Sequence, residues 1–237
     1  MTAPDIGEHL ETEPVETELK LSVSMPRRIA RLIRELEGAN LGSFRPEGPP
    51  QHVVIVDRYL DTALSGGRLQ QRAMRARLRQ RGRSVTLTVK RSGTARTDGI
   101  SARVELEGRA TAALDPHRWP ASPARAALLE AIGDEPLVEI GRLRQDRLVR
   151  IVRGDGAAME LSLDRVDALV DGRVGARRYE LEAELKHGAE TALTALGQQL
   201  ARVRGLGPPA GSKLAFAVEA RASTRGPNTR LVDSRPR

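Results

Sequence analysis

Polar side chains, most of them charged, recur at about every second residue in seven separate segments of this 237-residue chain. In VETELKLSV, residues 15–23, apolar or small side chains alternate with Glu16, Glu18 and Lys20. Because successive side chains of a strand point to opposite faces, each such segment predicts a strand with one apolar face and one charged face. A face turned toward water would explain one such strand. Seven of them favour a closed barrel whose charged parity points into the lumen.

The six other segments carry the same alternation with different charges. Their charged parity comprises Arg75, Arg77, Arg79 and Arg81; Thr86, Thr88 and Lys90; Arg103, Glu105 and Glu107; Arg142, Arg144 and Arg147; Glu160, Ser162 and Asp164; and Glu180, Glu182, Glu184 and Lys186. Converging arginine and lysine side chains can bind phosphates, whereas clustered carboxylates repel one another unless a divalent cation such as Mg²⁺ or Mn²⁺ lies among them. The sequence therefore predicts a lumen in which Glu16 and Glu18 bind metal and Lys20 binds phosphate.

Turn and capping residues divide the chain into many short strands and few helices. The pattern predicts helices over 26–38, over 122–133 with Ser122 as N-cap, and over 190–207, a loop over 39–51, a hairpin at Gly154-Asp155-Gly156, and a turn with a final strand over 207–220. Strands that are mostly adjacent in sequence favour an α+β fold, mainly antiparallel β. We expect about eight of them to form a closed barrel, or tunnel, with a few flanking helices.

The composition restricts the location and the partners of the protein. No cysteine is present and no run of about 18 apolar residues could span a membrane, so we expect a cytoplasmic protein without a membrane partner. The net charge of +8 suggests polyanionic partners. Aromatic residues make up only 2% of the chain, which disfavours nucleic acid because few stacking platforms are available.

Seven motifs occur in an order that points to one family. They are ETELK (16–20), RYLDT (58–62), MRARLR (74–79), TLTVK (86–90), RVELE (103–107), ELSLDRV (160–166) and YELEAELK (179–186). The ordered set resembles the CYTH domain, the family of triphosphate tunnel metalloenzymes, over residues 14–220. ETELK alone matches a weak signature, whereas the complete set is specific.

The resemblance implies a tunnel domain over 14–220, which leaves 1–13 and 221–237 as tails that we expect to be disordered. Some members of this family carry a second, histidine-bearing CHAD domain linked to polyphosphate. The only histidines here are four scattered residues, so we expect the chain to lack that domain.

The resemblance also implies roles for individual residues. Glu16, Glu18 and Lys20 would form the catalytic set, and the metal ligands would be Glu16, Glu18, Glu180 and Glu182, with Glu105 and Asp164 as weaker candidates. The phosphate-binding residues would be Lys20, Arg75, Arg77, Lys90, Arg103 and Arg147, with Arg142 and Arg144 as competitors for the place of Arg147. These ligands would bind Mg²⁺ or Mn²⁺ and a triphosphate.

The implied activity is metal-dependent hydrolysis of a triphosphate, with inorganic triphosphate favoured as the substrate. The chain offers little to recognise a base or a thiazolium ring, and Trp119 beside Pro120 suggests packing rather than substrate stacking. Thiamine triphosphatase and a class IV-type adenylate cyclase remain alternatives. A non-catalytic module that binds triphosphate or polyphosphate is the alternative from a different functional class.

Overall fold

The computed structural model describes residues 15–35, 41–63, 66–91, 94–95 and 99–224. Within these ranges the strands are β1 (Val15–Val23), β2 (Arg45–Thr62), β3 (Met74–Arg81), β4 (Ser84–Arg91), β5 (Thr94–Ala95), β6 (Ile100–Arg109), β7 (Leu137–Gly154), β8 (Ala157–Val170), β9 (Arg173–His187) and β10 (Leu206–Gly207). The helices are α1 (Pro26–Arg34), α2 (Arg68–Gln71), α3 (Pro123–Ile132), α4 (Glu190–Leu200) and α5 (Lys213–Thr224), with a 3-10 turn at Pro116–Arg118.

Eight antiparallel strands close into a barrel. The order around the wall is β1-β9-β8-β7-β2-β3-β4-β6, and β6 pairs with β1 to complete the circle. The short strands β5 and β10 extend the sheet beside β6 and β1. Closure satisfies the backbone donors and acceptors that an open edge would expose. The predicted α+β fold with a closed antiparallel barrel is confirmed.

Local turn chemistry explains the hairpin between β7 and β8. Strands β7 and β8 meet at Asp155 and Gly156, which have φ angles of 53° and 71°. Two consecutive left-handed residues form the hairpin turn whose twist matches that of paired strands, and Asp-Gly favours this turn. The hairpin predicted at Gly154-Asp155-Gly156 is therefore confirmed.

The hydrophobic core lies outside the barrel wall. The apolar parity of β8 and β9, including Leu161 and Leu181, packs with Ile33 of α1 and Leu193 of α4. On another side of the barrel, α3 and Trp119 pack on the outer faces of β3, β4 and β6. Helices thus cover the apolar faces of the strands, and the charged parity is left for the lumen. Trp119 is a packing residue, as expected.

Two predicted elements were wrong, and the predicted helix 190–207 is too long, because α4 ends at Leu200 and Leu206–Gly207 is the short strand β10. Strand β2 begins at Arg45, within the predicted loop 39–51, because its first residues pair with the far end of β7. The predicted final strand in 207–220 is helix α5, with Ser212 bonded to the amide of Ala215. Alanines at 215, 217 and 220 favour a helix, and Ala217 and Ala220 are buried against the barrel.

The two predicted tails lie mostly outside the described residues. Helix α5 continues through Thr224, into the segment 221–237, while 1–14 and 225–237 are not described. The predicted helix 26–38 is described as α1 only to Arg34, and 36–40 are not described. Among the described residues, no helix combines the length and the apolar character that crossing a bilayer requires.

The external core predicts a large difference in stability between a buried and an exposed substitution. Leu161 is fully buried between the barrel and its helices, so Leu161→Ala should lower the free energy of unfolding by about 2–5 kcal/mol. Val174 is 51% exposed on β9, and Val174→Ala should change it by less than about 0.5 kcal/mol. Urea denaturation measures both values. Equal losses in the two variants would contradict a core outside the wall.

Candidate active site

A charged cavity of about 420 Å³ occupies the lumen beside α5. A second space of about 850 Å³ continues toward the other mouth and shares several lining residues with the first, including Arg77 and Arg147. Among the described residues, nine cationic side chains and five carboxylates line the first cavity, an excess of four positive charges. The cations are Lys20, Arg75, Arg77, Arg79, Lys90, Arg91, Arg103, Arg147 and Lys213, and the carboxylates are Glu16, Glu18, Glu160, Glu182 and Glu184.

The ETELK strand places its lysine between two carboxylates. Strand β1 pairs with β9 so that Lys20 lies opposite Glu182. The Lys20 Nζ atom is 3.0 Å from Glu18 Oε1 and 3.2 Å from Glu182 Oε1. Burial alone would lower the pKa of Lys20, but the charges of Glu182 and Glu18 raise it above the ordinary value. Lys20 is therefore a permanent cation at neutral pH.

Three carboxylates converge behind Lys20. Oxygen atoms of Asp164, Glu180 and Glu182 all lie within 4.8 Å of one another, and all three residues are buried. Strands β8 and β9 create the cluster, because Asp164 pairs directly with Glu180 across the ladder. Burial and the nearby Glu182 raise the pKa of Glu180. Burial would also raise the pKa of Glu182, but Lys20, Lys213 and Arg147 hold it well below the usual range.

Lys213, the first residue of α5, reaches into this cluster. Its Nζ atom is 2.6 Å from Asp164 Oδ2, 3.1 Å from Glu182 Oε1 and 3.6 Å from Glu180 Oε2. The side chain is only 7% exposed. Sequence reasoning missed Lys213 because the segment around it was read as a strand. Lysine is rare in this chain, and the fact that Lys213 is one of only four lysines was the available signal.

Arg147 is the arginine of β7 that enters the lumen. Its Nε atom is 2.6 Å from Asp164 Oδ1, and its Nη2 atom is 2.8 Å from Glu182 Oε2 and donates to Ser162 Oγ. Arg142 instead pairs with Glu139, and Arg144 is exposed. Of the three arginines that competed for this place, the structure therefore brings only Arg147 to the acidic cluster.

A buried aspartate supports the arginines of β3. Asp57 accepts two hydrogen bonds of 2.8 Å from Arg79 and one of 2.6 Å from the Gln145 amide, and it lies 3.5 Å from Arg77. Burial would raise the pKa of Asp57, but Arg77 and Arg79 lower it below its ordinary value. Asp57 itself is fully buried, so it supports the positions of Arg77 and Arg79 without lining the cavity. The sequence analysis assigned no role to Asp57.

The remaining predicted residues form ion pairs across β1, β4 and β6. Lys90 contacts both Glu16 and Glu105, and Arg103 Nη2 is 3.0 Å from Glu18 Oε1. Among the described residues, Arg75 lines the cavity without an ion-pair partner.

Most of the predicted site residues therefore share one cavity. They are Glu16, Glu18, Lys20, Arg75, Arg77, Lys90, Arg103, Arg147 and Glu182. Glu180 and Asp164 lie just behind Glu182, whereas Glu105 lines the second space.

The carboxylate cluster fits a divalent cation. Asp164, Glu180 and Glu182 offer only oxygen donors, the type that Mg²⁺ and Mn²⁺ prefer, and their atoms are close enough to surround one ion. A bound cation would also offset the mutual repulsion of these buried carboxylates. Glu16 and Glu18 lie on β1, next to β9, at the edge of the same cavity.

The chain thus forms a closed antiparallel barrel, or tunnel, with a net cationic cavity and a buried carboxylate cluster inside it. The sequence model for the CYTH domain matches residues 14–217. The chain therefore belongs to the CYTH domain family.

Solved structures share this fold at low sequence identity. A candidate adenylyl cyclase from Hippeastrum with a dominant triphosphatase activity superposes with a TM-score of 0.61 and 19% identity, covering 85% of this chain and 94% of that one. A candidate adenylate cyclase from Bacillus halodurans gives a TM-score of 0.57 and 20% identity, covering 86% of this chain and 97% of that one.

One curated relative matches over a shorter stretch. Dephospho-CoA kinase of Thermobifida fusca is 42% identical over 69 residues, which are 29% of this chain and 32% of the kinase. The match thus spans about a third of the length of that relative.

The network around Asp57 makes a pH-dependent prediction. Asp57→Asn should destabilise the protein by about 3–5 kcal/mol at pH 7, because it leaves buried arginine charge without its partner. The folded-state pKa of Asp57 is depressed, so this stabilisation is present above the ordinary carboxyl pKa of about 4 and is lost as the pH falls through the lower folded-state value.

Urea denaturation between pH 7 and pH 3 measures the difference between wild type and variant. The exposed turn variant Asp155→Asn is the matched control and should show little change at any pH. The loss for Asp57→Asn should begin to decrease below about pH 4, and a loss that shows no decrease between pH 4 and pH 3 would refute this assignment.

Proposed function

We propose that the protein hydrolyses a triphosphate in a metal-dependent reaction inside the barrel, and that inorganic triphosphate is the substrate. The observation that carries the proposal is that cationic side chains and carboxylates line the same cavity. A cationic wall from β3, β4, β6, β7 and α5 lies beside carboxylates from β1, β8 and β9. A simple anion-binding pocket would gain nothing from buried carboxylates, which repel the ligand unless a metal ion is bound.

The cationic residues would bind and orient the phosphate chain. Arg75, Arg77 and Arg103 are suited to bidentate contacts with phosphoryl oxygens, and Lys20 and Lys90 to single charge-assisted hydrogen bonds. Their charges would offset the charge that develops on the leaving diphosphate. Lys213 of α5 and Arg147 of β7 would contact the same phosphate chain.

The carboxylates would hold the metal. Glu180, Glu182 and Asp164 would supply its principal ligands, with Glu16 and Glu18 completing the set from β1. When bound, Mg²⁺ or Mn²⁺ supplies charge neutralisation on the phosphates and an activated water. Glu105 pairs with Lys90 in the second space, so we assign it to the support of that lysine.

The cavity lining favours inorganic triphosphate over substrates with a ring. Within the described residues, the one aromatic side chain that lines the first cavity is Tyr59, which is 6% exposed and packs against Leu143. Trp119 is buried outside the barrel. The cavity thus lacks the stacking surface that a base or a thiazolium ring would use.

Phosphate release from inorganic triphosphate tests the proposal. Wild type should release phosphate with Mg²⁺ or Mn²⁺ and stop in EDTA. Glu18→Gln should lower kcat by roughly 10²–10³-fold, as expected for the loss of one electrostatic group in an active site. Arg75→Gln should mainly raise KM, because Arg75 lines the cavity without an ion-pair partner among the described residues. Glu47→Gln is the control, since Glu47 pairs with Arg153 at the exposed outer surface.

Each alternative activity has its own outcome in the same experiment. Tight binding of triphosphate without release would establish a binding module. Faster release from thiamine triphosphate would change the substrate, and cyclic AMP formed from ATP would identify a cyclase.

Metal and triphosphate should bind with positive coupling. Lys20, Lys213 and Arg147 are each paired with carboxylates in the lumen, so a phosphate chain can bind these cations fully only if a metal ion binds the carboxylates that they contact. The non-hydrolysable imido analogue of triphosphate should bind about 5–150-fold more tightly as its Mg²⁺ complex than as the free anion.

Calorimetry with and without Mg²⁺ measures this ratio. Glu182→Gln should reduce the ratio toward one, whereas Glu47→Gln should retain it. Equal affinity for the complex and the free anion in wild type would exclude the exchange of ion-pair partners.

A further inference from the structure

The loop that leads into α5 is fastened to the barrel by Arg178 of β9. Its Nη1 atom donates to the carbonyl oxygen of Ala210 at 2.8 Å, and Nη2 donates to that of Gly211 at 3.4 Å. The guanidinium carbon lies 4.5 Å from the centre of the Phe216 ring, on the first turn of the helix. One side chain thus contacts both the loop and the helix that follows it.

Arg178 also contacts the acidic cluster. It forms an ion pair with Oε1 of Glu180, while Lys213 lies 3.6 Å from Oε2 of the same carboxylate. Glu180 therefore lies between Arg178 and Lys213, and the position of its carboxylate depends on both cations.

The segment that connects the contacts of Arg178 to Lys213 is short and conformationally restricted. Gly211 has a φ of 77°, a conformation that favours glycine, and Ser212 caps α5 by accepting a hydrogen bond from the amide of Ala215 at 3.1 Å. Only Ser212 separates the clamped carbonyl of Gly211 from Lys213. A shift of the loop would therefore move the Lys213 ammonium away from Asp164 and Glu182.

We propose that Arg178 is a positioning residue that holds α5 so that Lys213 and Glu180 stay in place for the reaction. This role rests on the proposed triphosphatase function. Arg178 does not line the first cavity, so it would act through Lys213 and Glu180 rather than on the substrate. The role requires arginine, because lysine cannot bond two carbonyls, pair with a carboxylate and stack on a ring at once.

The neighbouring arginine is a matched control. Arg177 lies on the opposite face of the same strand, is 46% exposed, and places Nε 2.5 Å from Asp167 Oδ1. Arg177→Lys makes the same chemical change one residue away and should leave phosphate release unchanged.

A double-mutant cycle tests the proposal. Arg178→Lys should lower kcat/KM for triphosphate about 10-fold and Lys213→Gln about 100-fold, and the double variant should lose far less than the product of the two single losses, because part of the effect of Arg178 passes through Lys213. A residue that merely stabilises the fold would add its own loss in the Lys213→Gln background. Independent, multiplied losses would overturn the proposal, as would an equal loss in Arg177→Lys.

A second variant and a second readout separate positioning from unfolding. Phe216→Leu keeps both hydrogen bonds of Arg178 and removes the ring, so it should give a smaller loss that is likewise reduced in the Lys213→Gln background. Hydrogen exchange of 213–224 should rise in Arg178→Lys at an unchanged melting temperature. Exchange that stays at the wild-type level would overturn the proposal.

The outcome also separates this proposal from the one on which it rests. If wild type neither hydrolyses nor binds triphosphate, the proposed function fails and the role of Arg178 fails with it. If wild type is active and the cycle is additive, only the role of Arg178 fails.

Discussion

The structure depends on the mutual neutralisation of acidic and basic rows inside a closed barrel. An isolated charge in a buried environment is costly, and neither row would be tolerated there without the other. Barrel closure provides the solution by placing β1 between β9 and β6, so that Lys20 reaches Glu182 of β9 and Glu18 is reached by Arg103 of β6. The charged parity of each strand thus finds its partners on neighbouring strands.

This neutralisation explains how one cavity could serve two opposite ligands. Cations that are held by carboxylates need no reorganisation of the wall when a metal and a phosphate chain replace those contacts. Burial and the nearby Glu182 raise the pKa of Glu180, whereas three cations hold the pKa of Glu182 well below its usual range. Adjacent carboxylates on one strand face therefore differ in how readily they lose a proton.

Period-two alternation was sufficient to predict the barrel and most of the cavity lining. The parity of β1, β3, β4 and β6 placed Glu18, Arg77, Lys90 and Arg103 correctly, because a strand side chain has only two directions. Periodicity alone could not choose among Arg142, Arg144 and Arg147, since a single strand carries arginines of both parities. The choice came from the pairing of β7 with β8, which places Arg147 opposite Asp164.

The alternation could not predict site residues that lie outside the alternating charged segments. Lys213 belongs to a helix, and its position follows from the packing of Ala217 and Ala220 against the barrel rather than from any strand register. Asp57 carries the correct parity, but Ile55 and Tyr59, its neighbours on that face of the strand, are uncharged, so the pattern gave it no weight. Both residues contact the cations or carboxylates of the lumen directly. The alternation therefore specifies the wall of the tunnel, whereas packing between elements decides how its charges are held.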